Sequence, residues 1–219
     1  MFAGPLSESL LGKAQGRGLV EISVHNFRDL SRDKHRKVDD KPFGGGAGML
    51  LKVEPIYNTL KKLGAITKPK KGAKPYVIYL SPQGKTLNQT IAKRLSKKNR
   101  LILICGHYEG IDERAMRWVD AEISIGDFVL TGGELPAMVV SDAVCRMVPG
   151  VVKEWESVER DSFFNRALDC SQYTRPKEFL GMKVPRVLLS GNHKDIECWR
   201  SEDSIANTRK KRPDLAKNF

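Results

Sequence analysis

The sequence predicts an α/β fold in which a mostly parallel sheet is covered by helices on both faces. Two continuous apolar runs, 76–80 and 101–105, are typical of strands buried on both sides. Helical patterns alternate with strand patterns over residues 19–148, and this alternation favours parallel strands joined by crossover helices. With 219 residues, 40% of them hydrophobic, the chain is long enough to bury such a core.

The individual elements are predicted in order from the spacing of their apolar residues. Residues 5–15 favour a helix, and the alternating, β-branched run 19–24 favours a strand. Residues 28–48 form a polar, Gly-rich stretch without a clear period. Further helices are predicted at 53–63, 87–95, 111–118 and 135–147. Further strands are predicted at 76–80, 101–105, 121–125 and 128–130, with a Pro- and Lys-rich loop at 68–75.

The chain changes character after about two thirds of its length. Residues 151–163 are charged and aperiodic, which predicts a linker between two domains. Residues 1–150 then form the α/β domain, and residues 164–219 form a small, mostly helical second domain.

The formal net charge of +12 is concentrated in one segment. Residues 61–100 contain twelve Lys and Arg residues and no Asp or Glu, so the rest of the chain balances to zero. A local positive field of this kind attracts polyanions such as nucleic acids. A solvated helix face followed by a flexible Lys-rich loop, which keeps the protein soluble, is the alternative interpretation.

Several protein classes are excluded by what the sequence lacks. No apolar run approaches the roughly 18 residues of a spanning helix, and the first 16 residues have neither the basic start nor the long apolar core of a signal peptide. The four cysteines lie tens of residues apart, which indicates free thiols in a reducing compartment. The histidines have no metal-ligand spacing, so no structural metal is expected: they are His25, His35, His107 and His193.

Gly-rich loops follow three of the predicted strands, at 81–86, 106–110 and 126–136. In open parallel sheets ligands bind at the carboxyl ends of the strands, so these loops predict backbone groups that crowd a flat ligand. The first loop ends in Gly-Lys-Thr, but Tyr79 stands where a nucleoside triphosphate-binding loop needs glycine, and no GxGxxG motif for a nicotinamide is present. A fourth glycine cluster, 44–48, follows a basic run at 32–37 that is suited to gripping phosphates.

Seven longer motifs, in a fixed order, resemble the TrmD family of bacterial tRNA (guanine-N1)-methyltransferases. They are DKHRKVDDKPFGGGAGM (33–49), YLSPQGK (79–85), CGHYEGIDER (105–114), SIGDFVLTGGELPAM (124–138), PGV (149–151), DCSQYTRP (169–176) and VPRVLLSGNH (184–193). The resemblance implies a SPOUT-type fold with a trefoil knot in the C-terminal part of the α/β domain. It also implies a cytoplasmic homodimer with its active site at the subunit interface, and a helical C-terminal domain that helps to hold tRNA. Members of the family usually have an additional strand before the position of Met1, so we expect either that this sequence starts at an internal Met or that the sheet has lost one strand.

The same resemblance implies that S-adenosylmethionine donates a methyl group to N1 of guanosine 37 in tRNA. The implied cofactor-binding residues are Leu80, Gly106, Tyr108, Ile125, Gly126, Asp127, Phe128, Val129, Leu130, Gly132, Gly133 and Pro136. Guanine N1 carries a proton, so the reaction needs a general base, and negative charge that develops on O6 needs a stabilising cation.

By the family's motifs, Asp161 is the base, Arg146 is the cation, and Glu109 assists catalysis or contacts a magnesium ion. Simpler interpretations stand beside these roles: Asp161 as a helix N-cap and Arg146 as a favourable charge at a helix C-terminus. Two alternative functions also remain open, a SPOUT methyltransferase with another RNA target and a catalytically inert RNA-binding protein.

Overall fold

Seven α-helices and seven strands occur in the computed structural model, which describes residues 1–66 and 73–216. The helices are α1 (Ser9–Gly16), α2 (Val53–Lys62), α3 (Gln89–Leu95), α4 (Glu134–Cys145), α5 (Trp155–Arg160), α6 (His193–Lys211) and α7 (Pro213–Ala216). The strands are β1 (Asp39–Asp40), β2 (Leu50–Leu51), β3 (Tyr76–Thr86), β4 (Leu101–Cys105), β5 (Ala121–Ser124), β6 (Glu178–Phe179) and β7 (Met182–Lys183). Short 3₁₀ helices span Phe27–Leu30, Glu113–Trp118 and Arg186–Leu189. The chain divides into two compact units at residues 153 and 154.

A three-stranded parallel sheet, in the order β4-β3-β5, forms the centre of the first unit. Strand β3 pairs with β4 from Tyr76 to Leu80, so the predicted parallel arrangement is confirmed. Strand β3 is longer than predicted because it pairs with β5 a second time at Lys85, after an irregularity that follows Leu80. The remaining ladders, β1 with β2 and β6 with β7, are antiparallel pairs of two residues each.

Helices cover both faces of this sheet. Val77 and Tyr79 of β3 belong to a buried apolar cluster with Ile56 and Leu60 of α2. Because side chains alternate along a strand, Ile78 and its alternate neighbours point to the opposite face, where α4 packs against β4 and α3. The continuous apolar run at 76–80 therefore correctly predicts that β3 is buried on both faces.

Four of the predicted helices are found within two residues of their expected ends, one of them with a change of type, whereas the helix predicted at 5–15 begins four residues later, as α1. The helix expected at 111–118 is the 3₁₀ helix Glu113–Trp118, whose first turn is capped by Asp112. The Asp112 carboxylate accepts hydrogen bonds from the backbone N–H of Arg114 at 3.0 Å and from its guanidinium at 2.6 and 2.9 Å. These bonds to the charged form lower the pKa of Asp112.

Two of the predicted strands are wrong. Within residues 1–66 and 73–216, neither residues 19–24 nor the outer edge of β4 has a strand partner, and both line a cavity of about 1100 Å³. An alternating sequence cannot form a ladder where the neighbouring backbone lies across a cavity. Residues 128–130 form an irregular, exposed loop instead of a strand. Of the loop predicted at 68–75, residues 68–72 lie outside the described part of the chain.

The second unit begins with α5, so the segment 151–163, predicted as a linker, contains a short helix. Val158 of α5 is completely buried, although the charged sequence around it does not indicate a buried helix. Further on, the polar face of α6 holds residues 168–171 through side-chain bonds to backbone atoms. The hydroxyl of the fully buried Thr208 accepts from Leu168 N–H at 2.9 Å, and the Asp203 carboxylate accepts from Ser171 N–H at 2.6 Å.

None of the helices in residues 1–66 and 73–216 has both the length and the apolar character needed to cross a membrane.

Candidate active site

The loops that follow β4 and β5 meet at the carboxyl edge of the sheet. Gly133 N–H donates a hydrogen bond to the carbonyl oxygen of Gly106 at 2.8 Å, and His107 and Gly132 form an isolated antiparallel bridge. The side chains reinforce this link, because His107 Nε2 lies 3.0 Å from Glu134 Oε1. Two loops separated by about two dozen residues in the sequence therefore form one structure at the position where α/β proteins bind ligands.

Gly133 makes this close approach possible. A Cβ atom at this position would lie 2.6 Å from Cys105 Cα and 2.9 Å from Gly106 N. Both are backbone atoms that cannot rotate away, whereas carbon atoms in ordinary contact are about 3.5–4.0 Å apart. Any larger residue at 133 would separate the two loops.

The loop after β5 presents an apolar surface to solvent. Ser124 fixes its start, because the Ser124 hydroxyl donates to the Gly126 carbonyl at 2.9 Å and accepts from the Gly126 N–H at 3.1 Å. Phe128 and Val129 are 52% and 82% exposed. Large apolar side chains that lie together in solvent mark a surface for a ligand or partner.

Tyr108 has a left-handed backbone conformation, with φ of +58°, and its side chain is 55% exposed. This conformation is uncommon for residues other than glycine and clusters at functional sites. The neighbouring Glu109 N–H donates to Met49 O at 3.1 Å, and the Glu109 side chain packs against Gly48. The glycine cluster 44–48 is thereby joined to the loop after β4.

Burial makes two groups beneath the loops poor acids. The pKa of the Cys105 thiol is raised to about 12 by burial and by the nearby Glu134 carboxylate. Burial also raises the pKa of Tyr79, whose ring lies under Gly106, where an added Cβ would be 3.0 Å from the ring. Neither group ionises near neutral pH, so they serve as packing surface for the loops and not as nucleophiles.

The remaining predicted cofactor residues occupy the same edge of the sheet. Leu80 is buried in β3 opposite Cys105, and Ile125 and Gly126 directly follow β5. Asp127 is exposed beside Phe128, and Pro136 lies in the first turn of α4. The structure therefore brings the predicted cofactor-binding segments together, as expected for motifs at neighbouring strand ends.

The two predicted catalytic residues belong to different units. Arg146 is half-buried at the C-cap of α4 in the first unit, where its N–H donates to Asp142 O at 3.0 Å. Asp161 is the half-buried C-cap residue of α5 in the second unit, and it does not cap the start of a helix.

Asp161 lines a pocket of about 290 Å³ within the second unit. Asp169 and Arg200 also contribute to this pocket, and Asp169 N–H donates to the hydroxyl of Ser162 at 2.9 Å. Ser162, next to Asp161, is therefore hydrogen-bonded to the segment 168–171, which α6 also binds.

The described residues do not form a metal-binding cluster. No group of three or more His, Cys, Asp or Glu side chains in residues 1–66 and 73–216 is arranged to hold a metal ion. Glu109, the carboxylate proposed to contact magnesium, is not part of such a group, and one carboxylate on its own does not define a magnesium site.

Sequence reasoning missed the contact between His107 and Glu134. The two residues are 27 positions apart and match no ligand or catalytic motif. Only the placement of both at neighbouring strand ends could have suggested the pair.

The fold and the site define an α/β protein with a candidate ligand-binding edge on its parallel sheet and a second, smaller unit that follows in the chain. The family model described as tRNA (Guanine-1)-methyltransferase TrmD matches residues 1–218, and the chain belongs to this family.

Curated relatives agree with that membership. A protein of Endomicrobium trichonymphae is 54% identical over 99% of this chain and 95% of its own length. One from Clostridioides difficile (strain 630) is 51% identical over 99% of this chain and 93% of its own length. One from Thermotoga petrophila is 56% identical over 94% of this chain and 82% of its own length. Each is named tRNA (guanine-N(1)-)-methyltransferase.

Proposed function

We propose that this protein transfers the methyl group of S-adenosylmethionine to N1 of guanosine 37 in tRNA. The observation that carries the proposal is the family match over residues 1–218, which includes both joined loops and the segment that contains Asp161. The names of the relatives support the same substrate and the same nitrogen atom.

The joined loops have the chemistry that this methyl donor needs. Gly106 and Gly133 bring backbone close to the ligand, and backbone N–H and C=O groups can pair with the edge of an adenine ring. Exposed apolar side chains then cover its flat face. The cofactor-binding residues are proposed to be Leu80, Gly106, Tyr108, Ile125, Gly126, Asp127, Phe128, Val129, Leu130, Gly132, Gly133 and Pro136.

When bound, the sulfonium cofactor supplies an activated methyl group, so the protein must position the guanine and remove its N1 proton. We assign the proton transfer to the Asp161 carboxylate. The Arg146 guanidinium donates to guanine O6, where negative charge develops as N1 loses its proton. Glu109 is proposed to assist catalysis from the loop after β4. Its backbone N–H donates to Met49 O, and its side chain packs against Gly48.

The assembly and the domain roles are parts of the same proposal. Residues 1–150 form the methyltransferase domain with a trefoil knot, 151–163 connect the domains, and 164–219 help to bind tRNA. The exposed apolar residues Phe128, Val129, Leu135 and Val139 are suited to a subunit interface in a homodimer. Because its substrate is tRNA, the enzyme is assigned to the cytoplasm.

Methyl transfer from labelled S-adenosylmethionine tests this function directly. Matched tRNA transcripts with guanosine or adenosine at position 37 are compared, together with a cofactor-binding measurement by calorimetry. Labelling of the guanosine transcript alone is expected. Labelling of both transcripts would favour a related enzyme with another target, and normal cofactor binding without transfer would favour an inert RNA-binding protein.

A further inference from the structure

The charges of the first unit are separated between the two edges of its parallel sheet. The loops at the carboxyl edge contain five carboxylates, of which, in the described part of the chain, only Asp112 is paired with a guanidinium, that of the adjoining Arg114 at 2.6 Å: they are Glu109, Asp112, Glu113, Asp127 and Glu134. Phosphates are repelled by such a group of acids. Two cations close to the start of α2 are each paired with a carboxylate: Lys52 Nζ lies 3.3 Å from Asp40, and Arg32 of the run 32–37 lies 3.5 Å from Glu54.

The opposite, amino edge of the sheet carries a basic surface. Tyr76 at the start of β3 pairs with Leu101 at the start of β4, and Tyr76 N–H donates to Arg100 O at 3.0 Å. The residues just before both strands therefore lie side by side. We call the exposed cations of this region the amino-edge patch: Lys74, Arg94, Lys97, Lys98 and Arg100.

Few acids neutralise the amino-edge patch. Asp120, which precedes β5, lies 3.8 Å from Lys74 and also accepts from Val77 N–H at 2.8 Å. Within residues 1–66 and 73–216, the patch's other four cations have no carboxylate partner. Lys98 Nζ lies 4.8 Å from the centre of the Tyr76 ring, which orients the ammonium group without neutralising it. Five cations beside one carboxylate leave a net charge of +4.

The length of β4 sets the separation between the amino-edge patch and the candidate active site. Five residues at about 3.3 Å each span about 16 Å. A duplex that advances about 3.4 Å per base pair covers this distance in roughly five base pairs. A phosphate at the patch is therefore at least that far from the base held at the carboxyl edge.

We infer that the amino-edge patch binds the phosphate backbone of the tRNA body, beyond the anticodon arm whose base enters the active site. This inference rests on the proposed function for the identity of the RNA. The patch adds affinity mainly through charge, since its side chains are exposed, although Lys98 and Arg100 also line the cavity beside β4. Contacts of this kind position the substrate and carry no sequence specificity.

The test compares whole tRNA with a minimal substrate. Lys97→Gln/Lys98→Gln/Arg100→Gln is assayed for methyl transfer and for direct binding, using full-length tRNA and a stem-loop of five base pairs with the same anticodon loop. Lys97→Gln is also compared with Lys13→Gln, which removes one exposed Lys charge from α1. Circular dichroism verifies that each variant is folded.

The expected result is a raised KM and Kd for full-length tRNA, with both constants unchanged for the stem-loop. The logarithm of the binding constant falls linearly with the logarithm of the salt concentration, and removing three phosphate contacts should make this slope shallower by about 2.7. Between 50 and 200 mM salt, the wild-type protein should therefore lose about 40-fold more affinity than the triple variant. Lys97→Gln should lower the slope by about 0.9, and Lys13→Gln should leave it unchanged.

Three results would overturn the inference: unchanged binding of both RNAs, equal losses for both, or an equal loss for an unrelated RNA of tRNA length, which would indicate a general RNA surface. The binding arm separates this inference from the proposed function. If the wild-type protein binds tRNA with the expected salt dependence but transfers no methyl group, the proposed function fails and the patch remains supported.

Discussion

Gly133→Ala is the substitution that tests the joined loops most sharply. The new Cβ would lie 2.6 Å from Cys105 Cα and 2.9 Å from Gly106 N, about 1 Å inside normal contact distance. Because the obstructing atoms belong to the backbone, the loops after β4 and β5 must move apart. Gly133 has a φ of −80°, which any residue adopts, so crowding and not backbone strain is the cause.

The expected cost can be worked out from this displacement. A shift of about 1 Å breaks the 2.8 Å hydrogen bond from Gly133 N–H to Gly106 O, which costs about 1 kcal/mol. Overpacking adds about 1–3 kcal/mol, so the free energy of unfolding should fall by about 2–4 kcal/mol. A misplacement of 1 Å at a reacting centre lowers the rate by about 100-fold, and cofactor affinity should weaken together with kcat/KM.

Calorimetric cofactor binding, steady-state methyl transfer and thermal unfolding of the same samples check these values. Gly16→Ala is the matched control, because its Cβ meets nothing within 4 Å and it lies in α1. This control should keep wild-type activity and gain up to about 1 kcal/mol of stability. A Gly133→Ala protein with wild-type cofactor affinity and rate would refute the role given to the loop contact.

Three further predictions concern the base, the second unit and a helix cap. Asp161→Ala should lower methyl transfer by at least about 100-fold while calorimetry finds unchanged cofactor affinity; a loss of cofactor binding would mean that the role is misassigned. Thr208→Val should leave the Leu168 N–H without its 2.9 Å acceptor and lower the free energy of unfolding, measured by urea denaturation, by about 1–3 kcal/mol. An unchanged denaturation midpoint would contradict the stabilising role of this hydrogen bond. Asp112→Ala should lose a 3₁₀-helix cap and about 1 kcal/mol of stability near neutral pH. Since the pKa of Asp112 is lowered by Arg114, its contribution is present above the unfolded value of about 3.9 and is lost as the pH falls through the lowered value. The melting-temperature gap between wild type and Asp112→Ala should therefore close in acid, and a gap that persists there would count against the assigned cause.

The sequence pattern predicts those elements whose burial it encodes. The apolar runs 76–80 and 101–105 are strands because both of their faces are covered, and the pattern contains that information. Residues 19–24 alternate equally well, but the cavity beside β4 leaves them without a partner. A ladder depends on the neighbouring backbone, which no local pattern records.

Two other predictions, for residues 128–130 and 81–86, are wrong for different reasons. Residues 128–130 look like a strand, yet Phe128 and Val129 are exposed in the loop after β5. Residues 81–86 are predicted as a loop, yet they continue β3, which pairs with β5 again at Lys85. Gly84 permits this close pairing, because a Cβ atom at that position would collide with the Ile123 backbone. The first error arises because exposed apolar residues belong to the candidate site, and the second because β3 pairs with β5 beyond its apolar run.

The candidate site itself was predictable only in pieces. Gly-rich loops at strand ends indicate a ligand site, and long motifs identify the family. The pairing of His107 with Glu134 and the packing of Glu109 against Gly48 join residues far apart in the chain. These contacts follow from strand order, which sequence alone does not determine.

The position and chemical identity of the transferred methyl group test the central claim most directly. A wild-type reaction on a tRNA transcript is digested to nucleosides for mass spectrometry, and a parallel sample is mapped by primer extension, because a methyl group at N1 blocks base pairing. We expect 1-methylguanosine as the product, with a single extension stop immediately 3′ of position 37, where the last base before the methylated guanine is copied. A methylated nucleoside of another kind, or a stop at another position, would contradict the proposed function.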